Sequence, residues 1–360
     1  MVMRPEQIFY IGPLGIHTTS LQRVNAMRRL GLQVKTLDPY AMLARSSVHR
    51  LLGAVHYRSG YRLLQPLMRA LLAEQAAEIR RSAAVWIESG ELFGATCIQQ
   101  IQSYGGRVIL FNHDDPTGGR DGRHFDLVRQ AMPFYDVAIA VRQESESEYQ
   151  ALGARCVLRT WRSYDEVAHR PFDDVGEIPE TYRSDVAFVG TWIPGEGRDV
   201  LACELLDRGI ALAIWGERWD RSPLWARLKA SSWRGTGLFG RDYVAAMQGA
   251  KVCLGLLSKG NRDLHTTRSL EIPYAGGLFC AQRTRDHITL YKEGEEAVFW
   301  DNLDECVRQI QWLLDEPLVA DRIRIAGMKR VRAWGVGNEN LTLKAFEALG
   351  LSVKKTVLSG

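Results

Sequence analysis

The sequence predicts an α/β protein made of two doubly wound domains, each with a parallel sheet between layers of helices. Three observations lead to this prediction. The chain has 360 residues, which is more than one hydrophobic core usually serves. Short apolar segments alternate with helical patterns in both halves, as is typical of parallel sheets covered by helices. The alternation stops once, in a polar stretch near the middle, and then restarts with the same plan.

The N-terminal half contains short apolar segments that we predict to be strands. The first, residues 8–12, ends at a glycine, and a helical pattern follows from about Ser20 to Leu30. The further predicted strands of this half are residues 32–38, 83–89, 107–114 and 136–142. Together these elements predict a Rossmann-like N-terminal domain of residues 1–165.

The C-terminal half repeats the plan after a polar segment. Residues 166–183 contain two prolines and no strand pattern, so we predict that they form the interdomain linker. The predicted strands of the second Rossmann-like domain, residues 184–335, are residues 185–192, 210–216, 250–257, 277–282 and 296–300. Residues 336–360 are predicted to form a helical tail able to pack back on the N-terminal domain. Ligands of such folds bind at the carboxyl ends of the strands, so we expect the domains to face a central cleft.

Composition and charge limit the classes of protein to which the chain can belong. The formal net charge of +4 is too small to indicate a nucleic-acid partner. No apolar run approaches the roughly 20 residues of a membrane helix. The N-terminus lacks the apolar segment of a signal peptide, so we expect a cytoplasmic protein. The six cysteines are scattered without C-x-x-C spacing, which indicates free thiols rather than disulfides or a zinc site.

Positive charge is concentrated in the N-terminal half. Between Arg23 and Arg81 there are eleven Lys or Arg and only three acidic residues. Such a surface allows peripheral contact with the inner face of a membrane, or with a phosphate-bearing acceptor. The alternative interpretation is the solvated face of ordinary helices.

The most informative segment is residues 258–284, where a basic loop precedes a predicted helix. Thr266 or Thr267 could cap the N-terminus of this helix. Free peptide N–H groups at a helix N-terminus suit a diphosphate. Lys259 and Arg268 would add positive charge, which stabilises the diphosphate as it leaves. The segment therefore predicts a site for a phosphate-linked sugar.

Other polar residues of this half extend the predicted donor site. Asp263 and Glu271 could each accept hydrogen bonds from neighbouring hydroxyl groups of a ribose or sugar. Glu271 and Arg268 are also three residues apart, and a surface ion pair is the alternative. Asn261 belongs to the same loop. Trp215 with Gly216 could form a wall for the base or sugar, and core packing is the alternative.

Candidate acceptor-side residues follow strands of the N-terminal half. Gly15 and His17 come after the first strand, and His113 ends the strand of residues 107–114. His113 or Asp114 could take the proton of the acceptor as a general base. We assign Asp114 and Asp115 to the acceptor side and not to a metal, because two adjacent aspartates are weak evidence for Mg²⁺. Loop residues that fix backbone turns are the alternative.

Five segments resemble a known family. They are residues 112–116 (NHDDP), 152–171, 184–201, 267–284 and 291–317. On these segments the chain resembles a GT-B glycosyltransferase of the spore-maturation CgeB-like branch, which has a group 1 type C-terminal domain. This branch is related to the large retaining group with a Glu-x7-Glu motif. The resemblance implies the GT-B fold, in which two Rossmann-like domains face a central cleft.

The resemblance also implies roles for individual residues. It implies that Glu271 binds the nucleotide ribose and that Gly190 and Thr191 lie beside the diphosphate. Asp263 occupies the place of the first Glu of the motif. Its side chain is shorter, so the identity of the sugar and the retention of its anomeric configuration stay open.

One feature of the Glu-x7-Glu relatives is missing. An arginine and a lysine follow the glycine of the first C-terminal strand there, whereas this sequence has Thr191 and Glu196. Arg198, Lys259 and Arg268 are the available substitutes for that phosphate-binding pair.

Together, these features predict a bacterial hexosyltransferase-like glycosyltransferase (EC 2.4) of polysaccharide or glycoconjugate biosynthesis. We expect a UDP, GDP or dTDP sugar as donor and a glycan, a lipid-linked molecule or a protein as acceptor. We expect no required cofactor or metal and no nucleic-acid partner. Two alternatives stay open: a catalytically silent sugar-nucleotide-binding protein, and a dinucleotide-binding Rossmann protein, which the absence of a G-x-G-x-x-G turn disfavours.

Overall fold

The structure is a computed structural model that describes residues 7–352. The chain divides into two compact units. The N-terminal unit comprises Met1–Arg162 and Asn338–Gly360, and the C-terminal unit comprises Ser163–Gly337. Residues 166–183, for which the sequence predicts a linker, therefore belong to the C-terminal unit.

The N-terminal unit contains one sheet of six parallel strands. The strands are β1 (Gln7–Ile11), β2 (Gln33–Leu37), β3 (Ala84–Glu88), β4 (Val108–Phe111), β5 (Val137–Ala140) and β6 (Val157–Arg159). Their order across the sheet is β2-β1-β3-β4-β5-β6, so the direction of winding reverses between β1 and β3. Every residue of β3, β4 and β5 is buried, as expected for parallel strands covered on both faces.

Helices of the N-terminal unit form two core clusters with this sheet. They include α1 (Thr19–Arg29), α2 (Pro39–Arg45), α3 (Ser47–Leu51), α4 (Gly53–Arg58), α5 (Gln65–Glu74), α6 (Ala76–Arg81), α7 (Ala95–Ser103), α8 (Asp126–Ala131) and α9 (Gln143–Ala151). One cluster contains Met68 and Leu72 of α5 with Ile98 of α7. The other contains Val24 and Met27 of α1. Burying apolar side chains in both clusters provides the main stabilisation of the unit.

The C-terminal unit contains a second sheet of six parallel strands. The strands are β7 (Ser184–Val189), β8 (Leu212–Trp215), β9 (Trp233–Gly235), β10 (Ala250–Gly255), β11 (Phe279–Gln282) and β12 (Val298–Trp300). Their order is β12-β11-β10-β7-β8-β9. The winding reverses between β7 and β10, and ligands of open α/β sheets bind beyond the carboxyl ends of the strands at such a reversal.

The remaining helices connect or follow the strands of this second sheet. They are α10 (Arg198–Asp207), α11 (Trp225–Ser231), α12 (Gly240–Gln248), α13 (Arg268–Tyr274), α14 (Arg285–Leu290), α15 (Leu303–Asp315), α16 (Pro317–Ala333) and α17 (Asn338–Ala348). Helix α17 belongs to the N-terminal unit, where Leu341 and Phe346 join the core cluster that contains Val24 and Met27 of α1.

Capping residues and proline explain several helix ends. The Asp38 side chain accepts a hydrogen bond from the Ala41 N–H and begins α2, and Thr284 caps α14 through the His287 N–H. Pro317 begins α16, because proline fits the first turn of a helix but not its interior. These local signals are readable in the sequence.

The predicted fold class is confirmed: the protein is α/β, with two doubly wound parallel sheets of six strands. All six cysteines are free. In the part of the chain that the structure describes, no helix is both long enough and apolar enough to span a bilayer.

Candidate active site

Two glycines bring backbone segments together at the carboxyl ends of β7 and β8. A Cβ atom on Gly216 would lie 1.9 Å from the Gly190 carbonyl oxygen, and one on Gly190 would lie 2.6 Å from the Phe188 ring. The Trp219 indole N–H donates a hydrogen bond to the same carbonyl at 2.9 Å. A larger side chain at Gly216 would therefore push the two loops apart, and one at Gly190 would displace the Phe188 ring. Thr191 follows directly in the loop that begins at Gly190.

Trp215 and Trp219 both lie inside the C-terminal unit. Their exposed fractions are 3% and 1%, and Trp219 packs against the Phe188 ring with centroids 6.1 Å apart. Trp215 contacts Tyr182 at a centroid distance of 6.1 Å. Both tryptophans are therefore buried, and the interpretation of Trp215 as a wall for the base or sugar stays a prediction.

Arg198 connects the loops that follow β7 and β10. Its Nη1 donates to the Thr191 carbonyl at 2.6 Å, and its Nη2 donates to the Leu257 carbonyl at 2.9 Å. An ion pair joins Nη2 to the Glu196 carboxylate at 2.5 Å. Burial lowers the pKa of Arg198, although Glu196 opposes this shift. Each terminal nitrogen of Arg198 thus already has a protein acceptor. The side chain connects the two loops through these hydrogen bonds.

Glu271, in the first turn of α13, lies in a buried polar cluster. Its exposed fraction is 4%. The Tyr243 hydroxyl donates a hydrogen bond to Oε2 at 2.6 Å, while His169 Nε2 lies 3.8 Å from Oε1. The latter distance is too long for a direct hydrogen bond, so Oε1 can still accept one from a ligand hydroxyl. Burial raises the pKa of Tyr243 well above its usual value, so this tyrosine acts as a donor.

The tautomer of His169 follows from its other neighbour. The Asp165 backbone N–H donates to His169 Nδ1 at 2.9 Å, so Nδ1 is the acceptor nitrogen. In the neutral ring the proton is therefore on Nε2, the atom that faces Glu271. The carboxylate thus has a hydroxyl on one side and an imidazole N–H on the other.

Arg268 lies beside this cluster. Its guanidinium carbon is 5.7 Å from the centre of the Tyr243 ring, and its Nη1 donates to Thr267 Oγ1 at 3.1 Å. The neighbouring Tyr243 and Glu271 raise the pKa of Arg268, and Arg268 in turn contributes to the lowered pKa of Arg198. The structure therefore brings together two of the predicted donor-site arginines and the predicted ribose-binding glutamate.

Lys259 lies in the loop between β10 and α13. It is exposed in a short 3-10 turn, Lys259–Asn261, and lines a cavity of about 340 Å³. Arg198 and the last residues of β11 and β12, Gln282 and Trp300, line the same cavity. Asn261 and Asp263, which follow Lys259, are both buried.

The predicted capping of α13 by Thr266 or Thr267 is wrong. Thr267 precedes the helix with helical torsion angles, φ −57° and ψ −36°, and its side chain makes no capping hydrogen bond. A capping side chain needs an extended backbone to reach the first N–H groups. Instead, the Thr266 N–H donates to Ser269 Oγ at 3.0 Å.

Helix α14 and its capping residue Thr284 form hydrogen bonds with the loop between β10 and α13. His265 Nδ1 lies 2.8 Å from Asp286 Oδ2, and Thr284 Oγ1 donates to the Leu264 carbonyl at 2.6 Å. His287 Nε2 lies 2.8 Å from Ser269 Oγ, and burial lowers the pKa of His287 to about 4. These bonds connect the loop and the first turn of α13 to α14 and its cap, through residues for which the sequence predicts no role.

A second buried glutamate, Glu88, lies at the carboxyl end of β3 in the N-terminal unit. It accepts hydrogen bonds from the Tyr10 hydroxyl at 2.7 Å and from the Trp86 indole at 3.1 Å. Arg23 forms an ion pair with it at 3.4 Å, and His113 Nε2 lies 2.9 Å away. Burial alone would raise the pKa of Glu88, but Arg23 and the His113 and Tyr10 hydrogen bonds outweigh it and lower the pKa to about 2. Of this cluster, only His113 was predicted from the sequence as a functional residue.

His113, a predicted general base, belongs to the Glu88 cluster. Its Nε2 lies 2.7 Å from Arg23 Nη2 as well as near Glu88. Burial lowers the pKa of His113, so the ring is neutral near pH 7. A neutral imidazole has one nitrogen able to accept a proton, as a general base requires.

The other predicted acceptor-side residues occupy loops. The Asp114 N–H donates to Asn112 Oδ1 at 2.8 Å, and Asp115 Oδ1 accepts from the Gly118 N–H at 2.9 Å. Asp115 is buried and shapes this turn. His17 and Gly15 are exposed between β1 and α1. Among the described residues, no group of three or more His, Cys, Asp or Glu is placed to hold a metal.

Comparison with known proteins defines the class of fold. Residues 198–334 match the family model described as "Glycosyl transferase-like". No curated protein sequence matches the chain significantly. The match lies within the C-terminal unit and spans α10 to α16.

Solved structures resemble the whole chain. Anabaena Alr3699/HepE in complex with UDP-glucose has a TM-score of 0.68 at 12% identity, covering 96% of this chain and 99% of that one. Sucrose-phosphate synthase from Thermosynechococcus elongatus has a TM-score of 0.67 at 13% identity, covering 96% and 97%. A UDP-forming trehalose-phosphate synthase from Burkholderia xenovorans has a TM-score of 0.60 at 11% identity, covering 96% and 98%. The predicted GT-B fold is confirmed, whereas the CgeB-like branch stays a prediction.

Proposed function

We propose that the protein is a glycosyltransferase that takes a sugar from a nucleoside diphosphate donor. The observation that carries this proposal is the cluster of Glu271, Arg268 and Tyr243 near the reversal point of the second sheet. It combines a carboxylate that can accept from hydroxyl groups with a cation suited to a diphosphate. The family match to residues 198–334 supports the same interpretation.

In this proposal, Glu271 Oε1 accepts a hydrogen bond from the ribose, and Arg268 with Lys259 faces the diphosphate. Negative charge develops on the diphosphate as the sugar leaves, and fixed cations lower the barrier. Arg198 acts indirectly, because it holds the loops at Thr191 and Leu257. We propose that these side chains supply the positive charge without a metal.

The names of the structural relatives favour a uridine nucleotide. Two relatives bind or form UDP: HepE is described with UDP-glucose, and the trehalose-phosphate synthase is described as UDP-forming. We propose a UDP-hexose ahead of GDP or dTDP sugars, with a glycan, lipid-linked or protein acceptor. The finer assignments, a bacterial cytoplasmic enzyme of the CgeB-like branch at the inner membrane face, belong to this proposal.

We propose that the acceptor binds to the N-terminal unit. His113 or Asp114 would take the proton from the acceptor hydroxyl. Glu88 holds Nε2 of His113, and the ring is neutral because burial lowers its pKa. If the transfer retains the anomeric configuration by a front-face path, the phosphate itself takes the proton. His113→Gln then leaves turnover unchanged, whereas a large loss of turnover with unchanged donor affinity supports the base.

A silent sugar-nucleotide-binding protein is the second candidate, and one observation favours it. Glu196, at the place where related enzymes have a lysine, forms an ion pair with Arg198. The two places of the phosphate-binding pair in those relatives hold Thr191 and Glu196 here, and Glu196 engages Arg198, one of the available substitutes, within the protein. Such a site could bind a donor without activating it.

The experiment that tests the proposal measures both binding and turnover. Calorimetry with UDP-glucose, GDP-mannose and dTDP-glucose should show binding of one nucleotide class, and NAD should not bind. Slow hydrolysis of the nucleotide sugar by water, in the absence of acceptor and with EDTA present, supports a metal-independent enzyme. Binding without any release supports the silent candidate, and no binding of any nucleotide sugar refutes both.

A further inference from the structure

Helices α2, α3 and α4 and the turn that follows them expose many apolar side chains. We name residues 39–64 the arginine–leucine face. The most exposed apolar residues are Leu51 at 83%, Leu63 at 64% and Val48 at 59%. Further exposed apolar side chains of this face are Met42, Leu52, Val55 and Tyr57. Single exposed apolar residues are common on proteins, but seven within one short segment indicate a surface that something covers.

The helices of this face bury little of their own surface. Helix α3 has no buried residue, and α4 buries only His56. Helices as short as these are not stable on their own in water. The apolar side chains of α3 and α4 therefore contribute little to the core of the N-terminal unit. They remain available for contact with a binding partner or a membrane.

The charge of the face has one sign. Residues 39–64 contain no Asp or Glu and four arginines. All four are exposed: Arg45, Arg50, Arg58 and Arg62. Arg62 forms an ion pair with Asp126 at 3.1 Å. Within residues 7–352, Arg45, Arg50 and Arg58 form no ion pair, so their charge is available to an anionic partner.

We propose that the arginine–leucine face docks on an anionic lipid bilayer. Exposed arginines complement lipid phosphates, and the leucines and valines between them can enter the boundary of the acyl chains. A fluid bilayer accepts side chains that protrude singly, whereas a protein partner needs a matching shape. The combination of one-sided charge with strongly exposed apolar residues therefore favours a lipid surface over an acidic protein.

The face adjoins the loop that carries the predicted acceptor-side residues. The Tyr57 ring lies 4.7 Å from the His124 ring, and Arg62 pairs with Asp126 at the start of α8. His124 and Asp126 belong to the segment that begins with His113 at the end of β4. Docking itself does not depend on the enzymatic activity. A further consequence, a lipid-linked acceptor, rests on the proposed function.

Vesicle sedimentation of the full chain tests this proposal. We expect the protein to pellet with vesicles of phosphatidylcholine plus phosphatidylglycerol and to remain in solution with phosphatidylcholine alone. Added salt should weaken the binding, because it screens exposed charges. The charge variant R45E/R50E/R58E should bind roughly a hundredfold more weakly, since three basic residues are removed from the surface. The apolar variant V48S/L51S/L63S should also bind more weakly at every salt concentration.

Matched controls come from the C-terminal unit. R308E/R322E/K329E changes net charge by the same amount at exposed positions, and I288S/L318S/I325S removes exposed apolar side chains of the same kind. Both controls should bind like the unchanged protein. Failure to pellet with anionic vesicles, or equal binding by the face variants, would overturn the proposal. Vesicle binding without any nucleotide-sugar binding would leave docking intact and remove only the proposed enzymatic function.

Discussion

Two buried glutamates, one in each unit, have opposite surroundings. Glu88 in the N-terminal unit contacts four protein groups, from Tyr10, Arg23, Trp86 and His113. Glu271 in the C-terminal unit accepts a hydrogen bond from Tyr243, and the imidazole of His169 stays 3.8 Å from its other oxygen. The first carboxylate is engaged by the protein on all sides, whereas the second keeps capacity for a ligand. Burial alone therefore does not identify a binding residue. We propose Glu271 as one because fewer protein donors surround its carboxylate.

The largest expected effect comes from the N-terminal cluster. Glu88→Gln leaves Arg23 buried without its counter-charge, and breaking such a pair typically costs about 3–5 kcal/mol. Urea unfolding at pH 7 measures this loss. The matched control is Glu295→Gln, because Glu295 is exposed and, within residues 7–352, forms an ion pair with Lys292 alone. A loss below about 1 kcal/mol for Glu88→Gln would mean that its four neighbours do not stabilise the charged form.

The pH dependence of stability tests the surroundings of α13, the helix that carries Glu271. The pKa of His287, which contacts Ser269 of α13, is lowered by burial to about 4, so the folded protein favours the neutral ring. Between pH 6.5 and 4 the unfolded chain binds more protons, so the stability from this group is complete above 6.5 and is lost as the pH falls toward 4. We expect a loss of about 2 kcal/mol between pH 7 and pH 5 from this residue.

Comparison with a variant isolates the contribution of this histidine. Other histidines of lowered pKa, such as His113 and His124, weaken the unchanged protein in the same pH range. In His287→Asn the stability should therefore fall less steeply between pH 7 and pH 5 than in the unchanged protein. Equal slopes in urea unfolding would show that His287 is not held neutral.

The smallest expected effect concerns the hydroxyl that positions Glu271. Tyr243→Phe removes a hydrogen bond worth about 1 kcal/mol, so the donor should bind roughly fivefold more weakly. Tyr274→Phe removes a similar bond, from the Tyr274 hydroxyl to the Glu166 carbonyl, and should leave donor affinity unchanged. An equal loss in both variants would indicate a general weakening of the unit and not positioning of Glu271.

Local sequence signals predicted the sheets and the candidate donor segment. Apolar strands, glycine turns and capping residues act within a few positions along the chain. The alternation of strands and helices in each half could therefore be predicted from the sequence. The glycosyl transferase-like match, residues 198–334, includes the segment of residues 258–284 that the sequence analysis singled out.

The contacts that the sequence did not reveal join distant parts of the chain. Tyr10 and Glu88 are 78 positions apart, and Arg23 and His113 are 90 apart. Tyr243 lies 28 positions before Glu271. No periodicity connects such residues, because only the order of strands in each sheet brings them together. The capping error at Thr267 has a different cause, since its helical backbone could be known only from the folded loop.

Donor binding by Glu271→Gln tests the central claim most directly. The variant keeps the shape of the side chain but loses the charge that accepts ligand hydroxyls, so the affinity for UDP-glucose should fall roughly a hundredfold, as expected for charged hydrogen bonds. Calorimetry at pH 7, with Glu295→Gln as control, measures this affinity, and unfolding curves show whether the variant is folded. Unchanged affinity in a folded Glu271→Gln protein would contradict the assignment of this carboxylate to the ribose.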